Sequence, residues 1–347
     1  MKTQAYSVFC SRIHSFAREN KFPLRVMFEL TYDCNFHCKH CYIPKSYKSR
    51  EELKTKEIFL ILDQLKKIGC FYLGFTGGEP FLRKDILEIL GYAKKLGFEI
   101  IVYTNGSLIN NKMAAELSRL RLNKIDITIP AMSKVSFDQI SGVAGSRDKV
   151  FNAITLLHKK RVNLGFKTCV LKNNEPEIKE IEKFSASLGA LHRLDNMLYS
   201  RLDGSGKPYK YGKQDSRLLV SNYRLPLGLD CAIPIRKDKT SVTGSIFECG
   251  VGVTQAAITP AGELKMCLMI DRPRYKILET SLVIAWAKLS NLVSKIKPSK
   301  NYRCGKCDLK FYCKWCPARG WLKYGLFDCC EPRSRYFAMQ AKNTLTR

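Results

Sequence analysis

Residues 24–42 read LRVMFELTYDCNFHCKHCY, an apolar run that closes on three cysteines in the spacing C-x3-C-x2-C. Residues 24–31 have strand composition, so Cys34, Cys38 and Cys41 share one loop at the strand's carboxyl end. Further strand-like runs follow at 71–76, 99–104, 124–129 and 163–171. Helical segments alternate with them. Ile58, Ile61, Leu62, Leu65 and Ile68 recur at helical spacing between the first two strands, and residues 85–96, 111–120, 147–160 and 175–188 fill the later gaps. Repeated strand-helix units of roughly 30 residues imply a parallel sheet, either doubly wound or curled into a full or partial barrel. Ligands then sit where the strands end.

The chain has 347 residues, 45% of them hydrophobic, with 59 Lys plus Arg against 31 Asp plus Glu and a formal net charge of +28. It is too apolar for a disordered chain and too long for a disulfide-stapled mini-protein. No secretory h-region opens it and no window reaches the roughly 18 apolar residues of a membrane span, which predicts a cytoplasmic protein. In a reducing compartment its 15 cysteines argue for metal or redox chemistry over disulfides. The positive balance points to a polyanion: nucleic acid, an anionic membrane surface or an acidic peptide. The charge is concentrated in residues 288–347, which hold 14 Lys plus Arg, 3 acids and six of the cysteines.

Three thiolates can hold three corners of a 4Fe-4S cube and leave one iron open to a substrate or cofactor. A zinc site completed by His37 or His40 is the rival reading. The second strand run ends in Thr76-Gly77-Gly78-Glu79-Pro80, where the glycines let backbone approach a ligand and Glu79 offers a carboxylate to an ammonium group. Alone this is a tight turn. Two such motifs at strand ends of one sheet make a cofactor site.

On these residues, together with Thr104-Asn105-Gly106 after the third strand, the chain resembles the radical S-adenosylmethionine (radical SAM) superfamily over roughly residues 23–198. The resemblance implies an α/β fold with a partial (β/α)6 TIM-like barrel, in which Cys34, Cys38 and Cys41 hold a 4Fe-4S cluster. Its open iron would chelate the amino and carboxyl groups of SAM. Glu79 and the backbone of Gly77 and Gly78 would receive the ammonium, His40 would lie near the adenine, and Thr104, Asn105 and Thr128 would complete the pocket. The implied chemistry is reductive cleavage of SAM to a 5'-deoxyadenosyl radical that abstracts hydrogen from an unactivated carbon. One stretch departs from the pattern: Thr128-Ile129-Pro130-Ala131 stands where many relatives carry a Ser-Leu-Asp-Gly-like sequence, so Pro130 offers no carboxylate.

After residue 198 the alternation fades. A basic connecting segment at about 200–228 closes a barrel unit of residues 21–228, which follows an N-terminal extension of residues 1–20. Residues 229–347 read as a small cysteine-rich iron-sulfur domain with one apolar helix near 282–296. Its pairs Cys304-x2-Cys307 and Cys313-x2-Cys316, flanked by Cys249, Cys267, Cys329 and Cys330, would by themselves suggest zinc ribbons. Behind a radical SAM barrel they resemble the SPASM extension, which binds one or two auxiliary 4Fe-4S clusters. That resemblance assigns Cys304, Cys307, Cys313 and either Cys330 or Cys329 to an outer cluster. Cys249, Cys267 and Cys316 would hold an inner one, with Cys231 as fourth ligand or an iron left open. Lys306, Lys310, Lys314 and Arg319 interleave with the ligands and would offset anionic clusters. Cys10, Cys70 and Cys169 read as small buried apolar residues, and Tyr199 as a channel wall or a core residue.

The expected function is a radical SAM oxidoreductase that modifies a peptide or protein side chain, as a maturase of ribosomally made peptides does, with the auxiliary clusters accepting the substrate's electron. Expected partners are an acidic peptide, an electron donor such as flavodoxin or ferredoxin, and a separate leader-peptide recognition protein, since only about 20 residues precede the first strand. Alternatives are a tetrapyrrole or other small metabolite as substrate and, more remotely, a zinc-dependent nucleic-acid-binding protein.

Overall fold

The computed structural model describes residues 6–48, 51–195, 197–212, 246–300, 302–313 and 315–345. Cys231, Lys314 and much of the basic connecting segment lie outside the described residues.

Six strands follow one another around a single sheet: β1 (Arg25–Thr31), β2 (Tyr72–Gly77), β3 (Glu99–Thr104), β4 (Lys124–Thr128), β5 (Leu164–Cys169) and β6 (Leu191–Asp195). Each pairs in parallel with the next. The intervening helices are α2 (Thr55–Lys67), α3 (Ile86–Lys95), α4 (Asn111–Leu120), α5 (Lys134–Ser141), α6 (Ser146–Lys159) and α7 (Ile178–Ser187). The strand order never reverses, so successive crossovers lay their helices on one face. A doubly wound sheet would need a switch point. The result is the partial barrel that the resemblance implies.

Period-two alternation separates the two faces. Val26, Phe28, Leu30, Ile100, Val102, Ile125, Ile127 and Phe166 are each at most 1% exposed and pack against Ile58, Ile61, Leu62, Leu65, Ile89 and Leu157 of the helices. The opposite face carries Arg25, Met27, Tyr103, Asp126, Thr128, Lys167 and Arg193, which line a central cavity. Strand β6, LHRLD, was missed in the sequence because its inward positions are charged.

The C-terminal segment continues this sheet. Strand β7 (Gln255–Ile258) pairs in parallel with β1, then β8 (Glu263–Lys265) and β9 (Tyr275–Lys276) add antiparallel. The order is β6-β5-β4-β3-β2-β1-β7-β8-β9, open at both ends among the described residues. After the short α8 (Ile277–Thr280), α9 (Leu282–Lys295) packs beside α2, where Gln64 Oε1 accepts from the Leu282 amide at 2.7 Å. Two further helices, α10 (Pro317–Tyr324) and α11 (Pro332–Leu345), flank the last cysteines. Residues expected as an N-terminal extension form α1 (Tyr6–Asn20), whose Cys10 and Ala17 cluster with Leu24, Tyr72 and Ile101 at the barrel base. No helix of the described residues is long and apolar enough to cross a membrane.

Candidate active site

The loop after β1 is anchored from two sides. His37 and Lys39 amides donate to Ser141 and Ile140 carbonyls at 2.7 and 3.3 Å, and a side chain on Gly142 would meet the His37 backbone. Cys34, Cys38 and Cys41 all line the cavity. The Cys34 sulfur accepts from the Phe36 amide at 3.4 Å and faces Asn105 Nδ2 at 3.9 Å. Donors aimed at sulfur suit a thiolate that carries charge. Burial pushes the free Cys34 thiol up to about 11 and the Cys38 thiol higher, so ionisation awaits a metal to take the proton's place.

The glycine pair has a different local reason from the one the sequence suggested. Side chains on Gly77 and Gly78 would overlap the Thr31 and Asp33 carbonyl oxygens of the neighbouring chain. The Gly78 and Glu79 amides already donate to those same carbonyls, at 2.7 and 2.8 Å. The two glycines still border the cavity, but their tight fit is to β1 and its loop.

Glu79 is fully buried. Its Oε1 accepts from Phe81 N at 3.1 Å and Thr104 Oγ1 at 2.7 Å, and its Oε2 from Asn105 N at 2.7 Å. Burial nevertheless raises its carboxyl to about 7, against the pull of those three donors. Asn105 Nδ2 donates to Asn35 Oδ1 at 2.9 Å, Asn35 Nδ2 to Ser107 Oγ at 2.8 Å, and Ser107 Oγ back to Asn105 Oδ1 at 2.7 Å. Sequence reasoning missed Asn35 and Ser107. They tie the β3 end to the cysteine loop.

Across the barrel, Thr128, Lys167 and Arg193 share one level, in register on β4 and β5 and on β5 and β6. Lys167 pairs with Asp195 at 3.2 Å. Burial holds His40, which faces this pair, down to about 4. Cys169 lines the cavity too, so it is a wall residue near Cys41 and Cys38 rather than a core bystander. Pro130 supplies no acid, but Asp126, one inward position before Thr128, does face the cavity.

The late cysteines form two groups. Cys267 interacts with Cys316 and Cys249, while Cys304 interacts with Cys330, Cys313 and Cys307. The Cys304 thiol donates to Cys330 and draws it down to about 7. Cys329 instead offers its carbonyl to Trp315 Nε1 at 3.2 Å. Among the described residues no three His, Cys, Asp or Glu side chains converge on one ion-sized point. Of the interleaved cations, Lys310 pairs with Glu248 at 3.2 Å. Arg319 is buried against Glu331 at 3.7 Å and over the Tyr199 ring at 4.2 Å. Their charge is therefore largely spent on protein partners.

The cavity holds about 580 Å³. Cys34, Cys38 and Cys41 bound one side, and Tyr199, Leu268 and Met269, next to Cys316 and Cys267, bound another. Residues 28–185 match the family model of the radical SAM superfamily. The chain carries a radical SAM domain. It uses S-adenosylmethionine and a 4Fe-4S cluster, and its cysteine-rich C-terminal region suits auxiliary clusters. It is 25% identical to an AdoMet-dependent heme synthase of Oleidesulfovibrio alaskensis, over 90% of this chain and 87% of that one. It is 26% identical to the antilisterial bacteriocin subtilosin biosynthesis protein AlbA of Bacillus subtilis, over 88% and 69% respectively. In fold, the chain is similar to Streptococcus suis SuiB bound to S-adenosylmethionine, with a TM-score of 0.70 and 16% identity over 96% of this chain and 84% of that one.

Proposed function

We propose that the enzyme removes a hydrogen atom from a peptide or protein side chain held in the central cavity and passes the resulting electron to auxiliary clusters. The observation that carries this reading is the placement of the cavity between Cys34, Cys38 and Cys41 and the wall next to Cys267 and Cys316. Cys34, Cys38 and Cys41 would hold the SAM-cleaving cluster, which with SAM supplies a carbon-centred hydrogen abstractor. Glu79 fixes the Thr104–Asn105 turn and, through its remaining lone pairs, would take the SAM ammonium. Thr128 and His40 would complete the cofactor pocket, and the barrel walls exclude water. Cys249, Cys267 and Cys316 would hold the inner auxiliary cluster, and Cys304, Cys307, Cys313 and Cys330 the outer one. The likeness to AlbA supports a peptide substrate. A flavodoxin or ferredoxin in the cytoplasm would deliver the electron, and a leader-peptide recognition protein could present the substrate.

A tetrapyrrole substrate is the second reading, favoured by relatives named heme synthases that span nearly the whole chain. Anaerobic purification followed by addition of dithionite and SAM tests the shared core. About twelve irons per chain and release of 5'-deoxyadenosine are expected for three cubes. A colourless protein that leaves SAM intact refutes it. Product analysis with peptide and with iron coproporphyrin III then separates the two substrates.

A further inference from the structure

We propose that Arg193, on the inner face of β6, seats a carboxylate group of the substrate. The inference rests on the reading that substrate occupies the central cavity, and it names the chemistry recognised there. Arg193 lines that cavity. Its Nε is buried with no hydrogen-bond partner, and among the described residues its guanidinium makes no ion pair. The carboxylates that face it, Asp126 and Asp195, are each already matched by a lysine: Lys124 at 3.7 Å and Lys167 at 3.2 Å. Three cations thus meet two carboxylates. Deeper in the barrel Arg25 adds a second guanidinium with an unpartnered buried Nη2, over the Tyr72 ring at 5.7 Å.

Asp126 and Asp195 favour the charged guanidinium without pairing with it, but its buried Nε–H has no acceptor, and an unmet buried donor in a ligand cavity calls for a ligand oxygen to take it. The planar guanidinium fork matches a carboxylate in two-point contact, and an ammonium does not. Position separates this seat from the cofactor. The Gly77, Gly78, Thr104 and Asn105 wall belongs to β2 and β3, whereas β6 stands three strand spacings from β3, roughly 14 Å along the sheet. An acidic peptide side chain and the acid side chains of a tetrapyrrole share this chemistry.

The test uses full-length, anaerobically reconstituted enzyme with SAM bound. It is titrated with iron coproporphyrin III and with its tetramethyl ester. In parallel it is titrated with pooled heptapeptides carrying one Glu or Asp, and with the same pool carrying Gln or Asn. One acid probe should bind at least about tenfold more tightly than its neutral counterpart, and the arm that does so names the source. In R193M that preference should shrink to within about twofold, while R193K keeps part of it. Equal binding of acid and neutral forms, or no binding of either acid, overturns the proposal. So does R193M with the preference intact, or with SAM affinity lost instead, which would give Arg193 to the SAM carboxylate. Should R193M not fold, the wild-type pairs and R193K decide. Cleavage of SAM by the wild type is scored separately, so failure of the carboxylate seat and failure of the enzymatic reading give different results.

Discussion

Asn105 Nδ2 faces the Cys34 sulfur at 3.9 Å while donating to Asn35 Oδ1 at 2.9 Å. One amide therefore couples the end of β3 to the first cysteine of the loop after β1. A donor near a ligand sulfur favours the more negative, reduced cluster. Asn105→Ala should keep its iron but lower the potential of the SAM-cleaving cluster, by roughly 30–60 mV if the contact is worth about 1 kcal/mol. Redox titration followed by EPR reads the shift. An unchanged potential would remove Asn105 from any tuning role.

The glycine pair predicts a contrast in stability. Gly78→Ala drives a methyl group into the Asp33 carbonyl, which backbone cannot yield cheaply, and should cost ~3 kcal/mol or more. Gly145→Ala meets nothing within 4 Å and bears only the strain of φ +71°, about 1 kcal/mol. Urea unfolding of the two variants side by side checks the order. Equal losses would mean that crowding against the β1 loop is not what Gly78 relieves.

Glu79 gives a pH dependence of known sign. Its buried carboxyl titrates near 7, above the ordinary 4.5, so the folded protein holds this proton more tightly than the unfolded chain does. Stability from this group is full below about 4.5 and is lost as pH rises through about 7. The unfolding midpoint of wild type, relative to Glu79→Gln, should fall over that window in SAM-free protein. SAM affinity should move the opposite way, tightening as the carboxylate forms, and equilibrium dialysis across pH 6 to 8 measures it. A flat wild-type profile would exclude a Glu79–ammonium contact.

Lys265 Nζ meets Glu29 Oε2 at 2.8 Å with both side chains fully buried, and Tyr32 Oη donates to the same oxygen at 3.1 Å. This pair fastens β8, two residues before Cys267, to β1 of the barrel. Lys265→Met strands a buried carboxylate and should cost about 3–5 kcal/mol, whereas Lys265→Met with Glu29→Gln should recover much of that loss. A double-mutant cycle by chemical denaturation measures the coupling. Simple additivity would show that the two groups do not depend on each other.

The outer cysteine group separates neighbours in sequence. Cys330→Ala should lower iron by about four per chain and Cys329→Ala should not, because only Cys330 stands with Cys304, Cys307 and Cys313. Iron and sulfide counts decide. The reverse pattern would transfer the ligand role to Cys329.

Local order along the chain settled much of this protein without tertiary information. Apolar alternation marked β1 to β5 and the helices between them to within a few residues, apart from the short α5, and helix α4 at its full length, because each of those strands buries one row against helices. Three cysteines in one loop and a Gly-Gly-Glu-Pro turn at the next strand end are local features as well, so the cofactor class was legible. The tertiary structure decided what depends on distant partners. Strand β6 looks unlike a strand because Arg193 and Asp195 point into a polar cavity and not into an oily core. Asn35, Ser107 and Cys169 gain their places only when β3, β5 and the loop after β1 converge. Hydrophobic periodicity reports which residues leave water. Which charges remain unpaired inside the barrel, and therefore what the cavity can recognise, is fixed only when strands far apart in the chain face one another.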